Sequence, residues 1–380
     1  MDEQSQDRFI ENAPHALCRV DLHVQTAIRL LRIRCALALL TCAMVLPVLV
    51  TGCASSGPAR PALSDDQATM RREALACLKS AITYRQNPAV RIQAIEAMQV
   101  AGVNEAVPWI RTALHDEHPA VRFAACVALG VMKDQGTREA MANLADDADP
   151  NVRLAASFAA HRLGNTRRSG LMPQLLLDSN DVTVRRNAAL LLGLLQEPGV
   201  APVLAKAMKD ADLGVRHQAL EALVRLGNRE AGQELLFMTN AGVGSEEVFA
   251  VSALASAKNP IYYDTFAYKF AMASHLETKL AAAQGLGYLG SDRGIELALQ
   301  SLSFERARPG DPNDSPEDQI LRVRQLAAGA LAAIGKHEAL PALRHIMTDG
   351  SDPRMQVSAA EAILAILGPN RTGGLPFERQ

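Results

Sequence analysis

Two histidines flanking two carboxylates, His115-Asp116-Glu117-His118, form the densest group of possible metal ligands in the chain. Zinc takes four ligands, or three and a water, so two histidines on one turn would need a third ligand from a neighbouring element. Asp116 also has a structural reading, because acids recur in register at other turns. His161, His217, His275, His337 and His345 are dispersed, and none can be paired from sequence with a serine or cysteine nucleophile. Cys77 and Cys126 lie in alanine-rich stretches that read as helix. Two thiols make no disulfide framework, so both read as small buried side chains, with a bridge or a redox role as the alternative. No strand pattern precedes a glycine-rich phosphate loop. The expectation is therefore no catalytic residue, no metal and no cofactor: the chain is read as not an enzyme.

Chemistry of another kind is suggested at Cys53. A basic stretch, Arg29, Arg32 and Arg34, precedes an apolar run from Cys35 to Val50, which ends in Val50-Thr51-Gly52-Cys53 and a small-residue tail. The run is short for a bilayer-spanning helix and suits the core of a signal peptide. In this order of parts the segment resembles the bacterial lipoprotein class. The resemblance implies lipidation of Cys53, and Ala54, which is not the aspartate of inner-membrane retention, implies an outer-membrane destination facing the periplasm. An uncleaved anchor and plain secretion are the alternatives. Residues 1–28 read as a misassigned start or a dispensable extension. Removing residues 1–52 takes away five basic and five acidic side chains, so the net charge stays at -2. A balance so near neutral offers nucleic acid no general attraction.

The elements that would carry any site emerge when Val-Arg pairs are aligned. Val90-Arg91, Val121-Arg122, Val152-Arg153, Val184-Arg185 and Val215-Arg216 recur at intervals of 31, 31, 32 and 31 residues, the length of two short helices and two turns. Four residues after each valine stands an alanine, Ala94, Ala125, Ala156, Ala188 and Ala219, on the same helix face. Asn87, Asp149, Asp181 and Asp212 are candidate N-caps, and Gly130, Gly164, Gly193 and Gly227 read as helix ends. Second amphipathic helices lie between, as at 105–114, 137–144, 200–208 and 338–347, with Pro108, Pro202 and Pro341 near their starts. With aromatics at only 4%, an aliphatic core and close helix packing follow.

Pro119-Ala-Val-Arg-Phe-Ala-Ala-Cys-Val-Ala-Leu-Gly130 and Pro150-Asn-Val-Arg-Leu-Ala-Ala156 resemble the HEAT repeats, in particular the short bacterial form related to phycobilin lyases. The resemblance runs from about residue 70 to 369 and implies an all-α, right-handed solenoid of about nine helix pairs. It further implies that Arg91, Arg122, Arg153, Arg185, Arg216 and Arg324 are structural, bonding to acids such as Asp116, Asp147, Asp178 and Asp210 in adjacent turns. Glu247-Val248 and Thr278-Lys279 continue the period in altered form. The unit beginning at Asp352-Pro353 lacks the arginine, as expected of a capping repeat with one neighbour.

The domain reading is 1–52 extension and signal peptide, 53–68 tether, 69–369 solenoid with an insertion at 305–319, and 370–380 tail. Five aromatics crowd the segment from Tyr262 to Phe270. Helical spacing puts Tyr262, Phe266 and Phe270 on one stripe suited to the core, leaving Tyr263 and Tyr268 for a partner contact. The expected function is a monomeric, lipid-anchored envelope scaffold that binds a protein partner; the alternative is a chromophore lyase-like or metal-dependent enzyme.

Overall fold

The computed structural model describes residues 63–306 and 315–368. The expected signal peptide, Cys53, residues 307–314 of the expected insertion and the 370–380 tail lie outside the described residues. Eighteen α-helices and no strand occur among the described residues. They form nine antiparallel pairs. The first four pairs are α1 (Asp65–Ala81) with α2 (Pro88–Val100), α3 (Val107–Thr112) with α4 (Pro119–Val131), α5 (Arg138–Leu144) with α6 (Pro150–Arg162), and α7 (Leu171–Asp178) with α8 (Val182–Leu195). Next come α9 (Ala201–Ala207) with α10 (Leu213–Arg225), α11 (Arg229–Met238) with α12 (Gly244–Ser256), and α13 (Tyr263–Met272) with α14 (Leu276–Tyr288). The last two are α15 (Ile295–Ser301) with α16 (Pro316–Ile334) and α17 (Leu340–Asp349) with α18 (Pro353–Leu367).

Each Val-Arg helix begins where its cap residue directs. The side chains of Asn87, Asp149, Asp181 and Asp212 accept hydrogen bonds from backbone N–H groups of the first turn. His118 does the same for α4, its Nδ1 accepting from Ala120 N–H. One of the two histidines of this turn is thus a helix cap, and Asp116 is engaged by Arg91 and by His118 N–H. Among the described residues no group of three or more His, Cys, Asp or Glu could hold a metal ion.

The even-numbered helices form an inner layer, each packed against the next. Val90, Val121, Val152, Val184 and Val215 are buried, and the alanines four residues later have no exposed surface. Two of the four supposed terminating glycines do terminate: Gly164 and Gly227 have φ of 93° and 77° just past their helices. Gly130 and Gly193 instead lie inside α4 and α8, where a Cβ would stand 2.8 Å from Ala159 Cα and 2.5 Å from Ala222 Cβ. They let neighbouring inner helices touch, and left-handed Lys133 and Gln196 follow their helices. Such non-glycine residues at positive φ are legible only from the backbone.

Two boundaries move. Helix α1 starts inside the presumed tether, capped by Ser64, whose hydroxyl and the Gln67 amide bond reciprocally to backbone N–H groups. Helix α16 starts inside the presumed insertion, capped by Ser315.

The last pair is not a one-sided cap. Helix α18 packs against α16 on one side and against α1 and α2 on the other, so the solenoid closes into a ring. Buried Ala74, Leu78, Ala94, Ala359 and Ile363 belong to the hydrophobic core that continues through this seam. On the outside, Arg344 of α17 clasps Glu73 of α1 with both arms of its guanidinium, at 2.8 and 2.7 Å, and reaches Asp66 at 3.1 Å. A capping helix needs a polar outer face. α18 has none to spare, with ten of its fifteen residues buried.

Candidate functional site: the arginine rungs and the cavity at the seam

The repeat arginines tie turn to turn. Arg122 donates to the carbonyls of Asp116 and Glu117 in its own turn and, through Nε and Nη2, to both carboxylate oxygens of Asp147 in the next, at 3.0 and 2.9 Å. Arg185 bridges Ser179 O and Asp210 likewise, and Arg91 bridges Tyr84 O and Asp116. The guanidinium holds Asp147 and Asp210 below the usual carboxylate range, chiefly through these hydrogen bonds.

Arg153, Arg216 and Arg324 depart from the expected pairing. Arg153 bonds only to the carbonyls of Asp147 and Ala148. The facing turn is one residue longer and places Ser179, not Asp178, two residues before the cap, where Ser179 Oγ accepts from Asp181 N–H. Arg216 has only Asp210 O and Ala211 O, and Arg324 donates to Phe304 O. In the unit after Arg216 the charge is reversed. Glu247 stands 31 residues on, at the arginine position. It receives Lys269 Nζ from α13 at 2.7 Å and Thr278 Oγ1 at 3.3 Å. The same ammonium donates to Thr239 O and Asn240 Oδ1, so a lysine from a different helix replaces the missing guanidinium at the turn.

In the aromatic segment Tyr262 and Phe266 are buried and Phe270 is half-buried, while Tyr263 and Tyr268 are exposed. Cys77 and Cys126 are unpaired. Burial pushes their thiols up to about 11 and about 12, which keeps both protonated and unreactive at neutral pH.

At the seam the inner face of the ring holds an open cavity of about 870 Å³ that sequence reading did not find. It is walled by α2, α14, α16 and α18 and by the turn after α12. Its polar lining comprises Gln93, Glu96, Lys258, Gln284, Tyr288, Gln325, Ser358 and Glu361, set among small residues such as Gly329, Ala328 and Ala362. Desolvation, and then the charge of Glu96, raise Glu361 to about 7; desolvation also raises Glu96. Glu96 is exposed on the cavity wall although protein surrounds it, so water reaches its carboxylate and moderates the desolvation. Ser358 Oγ donates to Arg354 O and accepts from the amides of Gln93 at 2.7 Å and Gln325 at 3.3 Å.

A seam carboxylate pair was invisible for a topological reason. Glu96 follows Val90 by six residues, and Glu361 follows Met355, the matching position of the last unit, by six. They share a register at opposite ends of the chain, and only closure makes them neighbours.

Stacked antiparallel helix pairs joined by arginine rungs define an α-solenoid repeat protein. Residues 75–161 and 171–260 match the HEAT repeats model, and residues 323–349 match the PBS lyase HEAT-like repeat. Together these spans exceed half of the chain, which belongs to the HEAT-repeat family. Among solved structures it is similar to human deoxyhypusine hydroxylase in complex with glycerol, at 16% identity over 79% of this chain and 98% of that one, TM-score 0.34. It is also similar to the complex of CpcE and CpcF of phycocyanin lyase from Nostoc sp., at 17% identity over 75% and 100%, TM-score 0.39. No curated protein matches the sequence.

Proposed function

We propose that the protein is a lipid-anchored binding scaffold of the cell envelope, a monomer that holds a protein partner on the outside of its ring and catalyses no reaction. The observation that carries this reading is a concentration of exposed apolar side chains. Of eleven large ones exposed among the described residues, six fall between 237 and 272: Phe237, Val243, Ile261, Tyr263, Tyr268 and Met272. Phe237, Ile261 and Met272 are 76%, 73% and 66% exposed, and Tyr268 58%. Isolated apolar residues on a surface need no explanation, but Tyr268 and Met272, four residues apart on α13, share one exposed face. Aromatic residues and methionine are enriched where proteins meet. The reversed rung at Glu247 lies in the same stretch, so the repeat departs from its pattern where its surface becomes apolar.

Replacing Tyr268 with Ala and Met272 with Ser together is expected to lower recovery of a crosslinked envelope partner on the order of tenfold, at an unchanged melting temperature. Undiminished recovery, or recovery that falls only as the protein melts, would remove this surface from consideration.

The anchor is supported by the order of basic run, apolar run and Val50-Thr51-Gly52-Cys53. Among the described residues no helix is long and apolar enough to cross a membrane. Stable attachment takes two membrane signals, which a diacylated Cys53 would supply. Cys53→Ser should leave the precursor unprocessed and free of lipid by mass spectrometry; acylation persisting in that variant would refute the assignment. A second reading, chromophore handling, draws on the match of residues 323–349 to PBS lyase HEAT-like repeats, part of which lines the cavity. Visible absorbance co-purifying with the protein would favour it.

A further inference from the structure

The seam cavity has more hydrogen-bond acceptors than donors. Ser358 spends its single proton on Arg354 O, so it can only accept from Gln93 and Gln325. That directs both amides' NH2 groups toward Ser358 and, among the described residues, leaves both carbonyl oxygens without a donor. Gln284 likewise directs its NH2 to Tyr288 Oη, at 3.3 Å. Among the described residues neither Glu96 nor Glu361 receives a side-chain hydrogen bond or forms an ion pair. Among the described residues Lys258 is the one cation lining the cavity; it stands over the Tyr288 ring, 4.7 Å from its centroid, and makes no ion pair with either carboxylate.

The pocket thus presents carboxylate and amide oxygens that converge on one space, with Glu361 half-buried in its wall and Glu96 open to it. Two neighbouring carboxylates raise each other's cost of ionisation. A volume of about 870 Å³ lies in the range of small-ligand sites. Small side chains keep it open: a Cβ on Gly329 would approach only the Gln284 amide, at 3.2 Å.

We propose that this cavity binds an organic cation, a primary ammonium or guanidinium carried on an alkyl chain, with Glu361 and Glu96 as its counter-charges and the amide carbonyls of Gln93 and Gln325 as further acceptors. The cation's several N–H donors meet the unpaired oxygens, and its alkyl body lies along Ala328, Ala362 and Leu364. The ligand is either a free amine or the basic side chain of another protein, and the two sources offer the same chemistry. The site is separate from the apolar stretch of the outer helices, and its occupancy does not depend on that surface.

Binding couples to protonation. The groups facing Glu361 are Glu96 from α2, Tyr288 from α14, Lys258 from the turn after α12 and the neutral Gln325 from α16. Glu361, raised to about 7 by burial and then by Glu96, is protonated in part at neutral pH. An arriving cation favours its ionised form, so binding near pH 7 releases a proton.

The test is calorimetric titration of the full 380-residue chain with agmatine, with cadaverine and with a tetra-arginine peptide, and glutarate as the anionic control. At pH 8 at least one cation should bind and glutarate should not. Affinity should fall on the order of tenfold in Glu361→Gln, and also in the native chain between pH 8 and pH 6. Near pH 7 the heat should vary with the ionisation enthalpy of the buffer. Binding of the free amines identifies a small-molecule site, and binding of the peptide alone identifies a partner's side chain. Glu361→Gln removes a repelling charge from the cavity, so a melting temperature at or above the native value will show that the variant is folded. Glu96→Gln provides a second, independent loss. Absence of cation binding at millimolar concentration, or affinity in both variants equal to that of the native chain, overturns the proposal.

Discussion

Replacing Gly287 with leucine is expected to destabilise the ring by about 3 kcal/mol or more, at the upper end of what overpacking costs. Helices α14 and α16 meet here backbone to backbone. A Cβ on Gly287 would lie 2.6 Å from Ile334 N and 2.8 Å from Ala333 C, and backbone atoms cannot turn aside as a flexible side chain can. For a domain of this size, about 300 residues, the loss corresponds to a fall in melting temperature on the order of 5 °C. Gly329→Ala is the matched control. It sits in the interior of α16, faces the cavity, and would gain about 0.5–1 kcal/mol of helix propensity against a contact with the end of one side chain, the Gln284 amide. Thermal melting of the two variants should therefore move in opposite directions. A Gly287→Leu protein that melts with the native chain would show that α14 and α16 do not approach this closely.

The second large effect is expected from Arg122→Met, which keeps an unbranched apolar stem and removes the charge. Asp147 would lose both guanidinium bonds and keep only Asp149 N–H, and the carbonyls of Asp116 and Glu117 would lose their donor. Stranding one partner of a largely buried pair costs roughly 2–4 kcal/mol. Arg153→Met should cost less, about 1 kcal/mol, because Arg153 has two carbonyl bonds and no carboxylate. The pH dependence has a definite sign. Asp147 is held below its ordinary value of 3.8 in the folded protein, first by hydrogen bonding to Arg122, so its contribution is fully present above that value and is lost as pH falls through the folded value. Denaturant titrations should accordingly show the native and Arg122→Met chains differing most near neutrality and converging in strong acid. Equal stability of the Arg122 and Arg153 variants would reduce the cross-turn pair to an ornament of the surface.

Local features of the fold were readable in the sequence because local spacing causes them. The 31-residue interval, the buried valines, the alanines and the Asx caps all act within a helix or between consecutive ones. The stripe of Tyr262 and Phe266 was readable for the same reason. What could not be read depended on where distant elements meet or on a shift of one residue. Asp178 misses Arg153 because its turn is longer by a single position. Lys269 serves Glu247 from a helix whose own pattern gives no hint of it. The seam cavity is the extreme case, since Gln93 and Ser358, in hydrogen-bond contact, are 265 residues apart in sequence.

Closure also imposes a whole-number condition. An open stack of repeats can lengthen or shorten by a pair, because each unit needs only its neighbours. Here nine pairs must together complete one full turn, about 40° of rotation for each. Duplicating or deleting a pair would leave the first and last helices unable to meet without every other joint changing its angle. The repeat number of this protein is therefore fixed by geometry, and tandem duplication, the ordinary route by which repeat proteins diversify in length, is closed to it unless the ring opens.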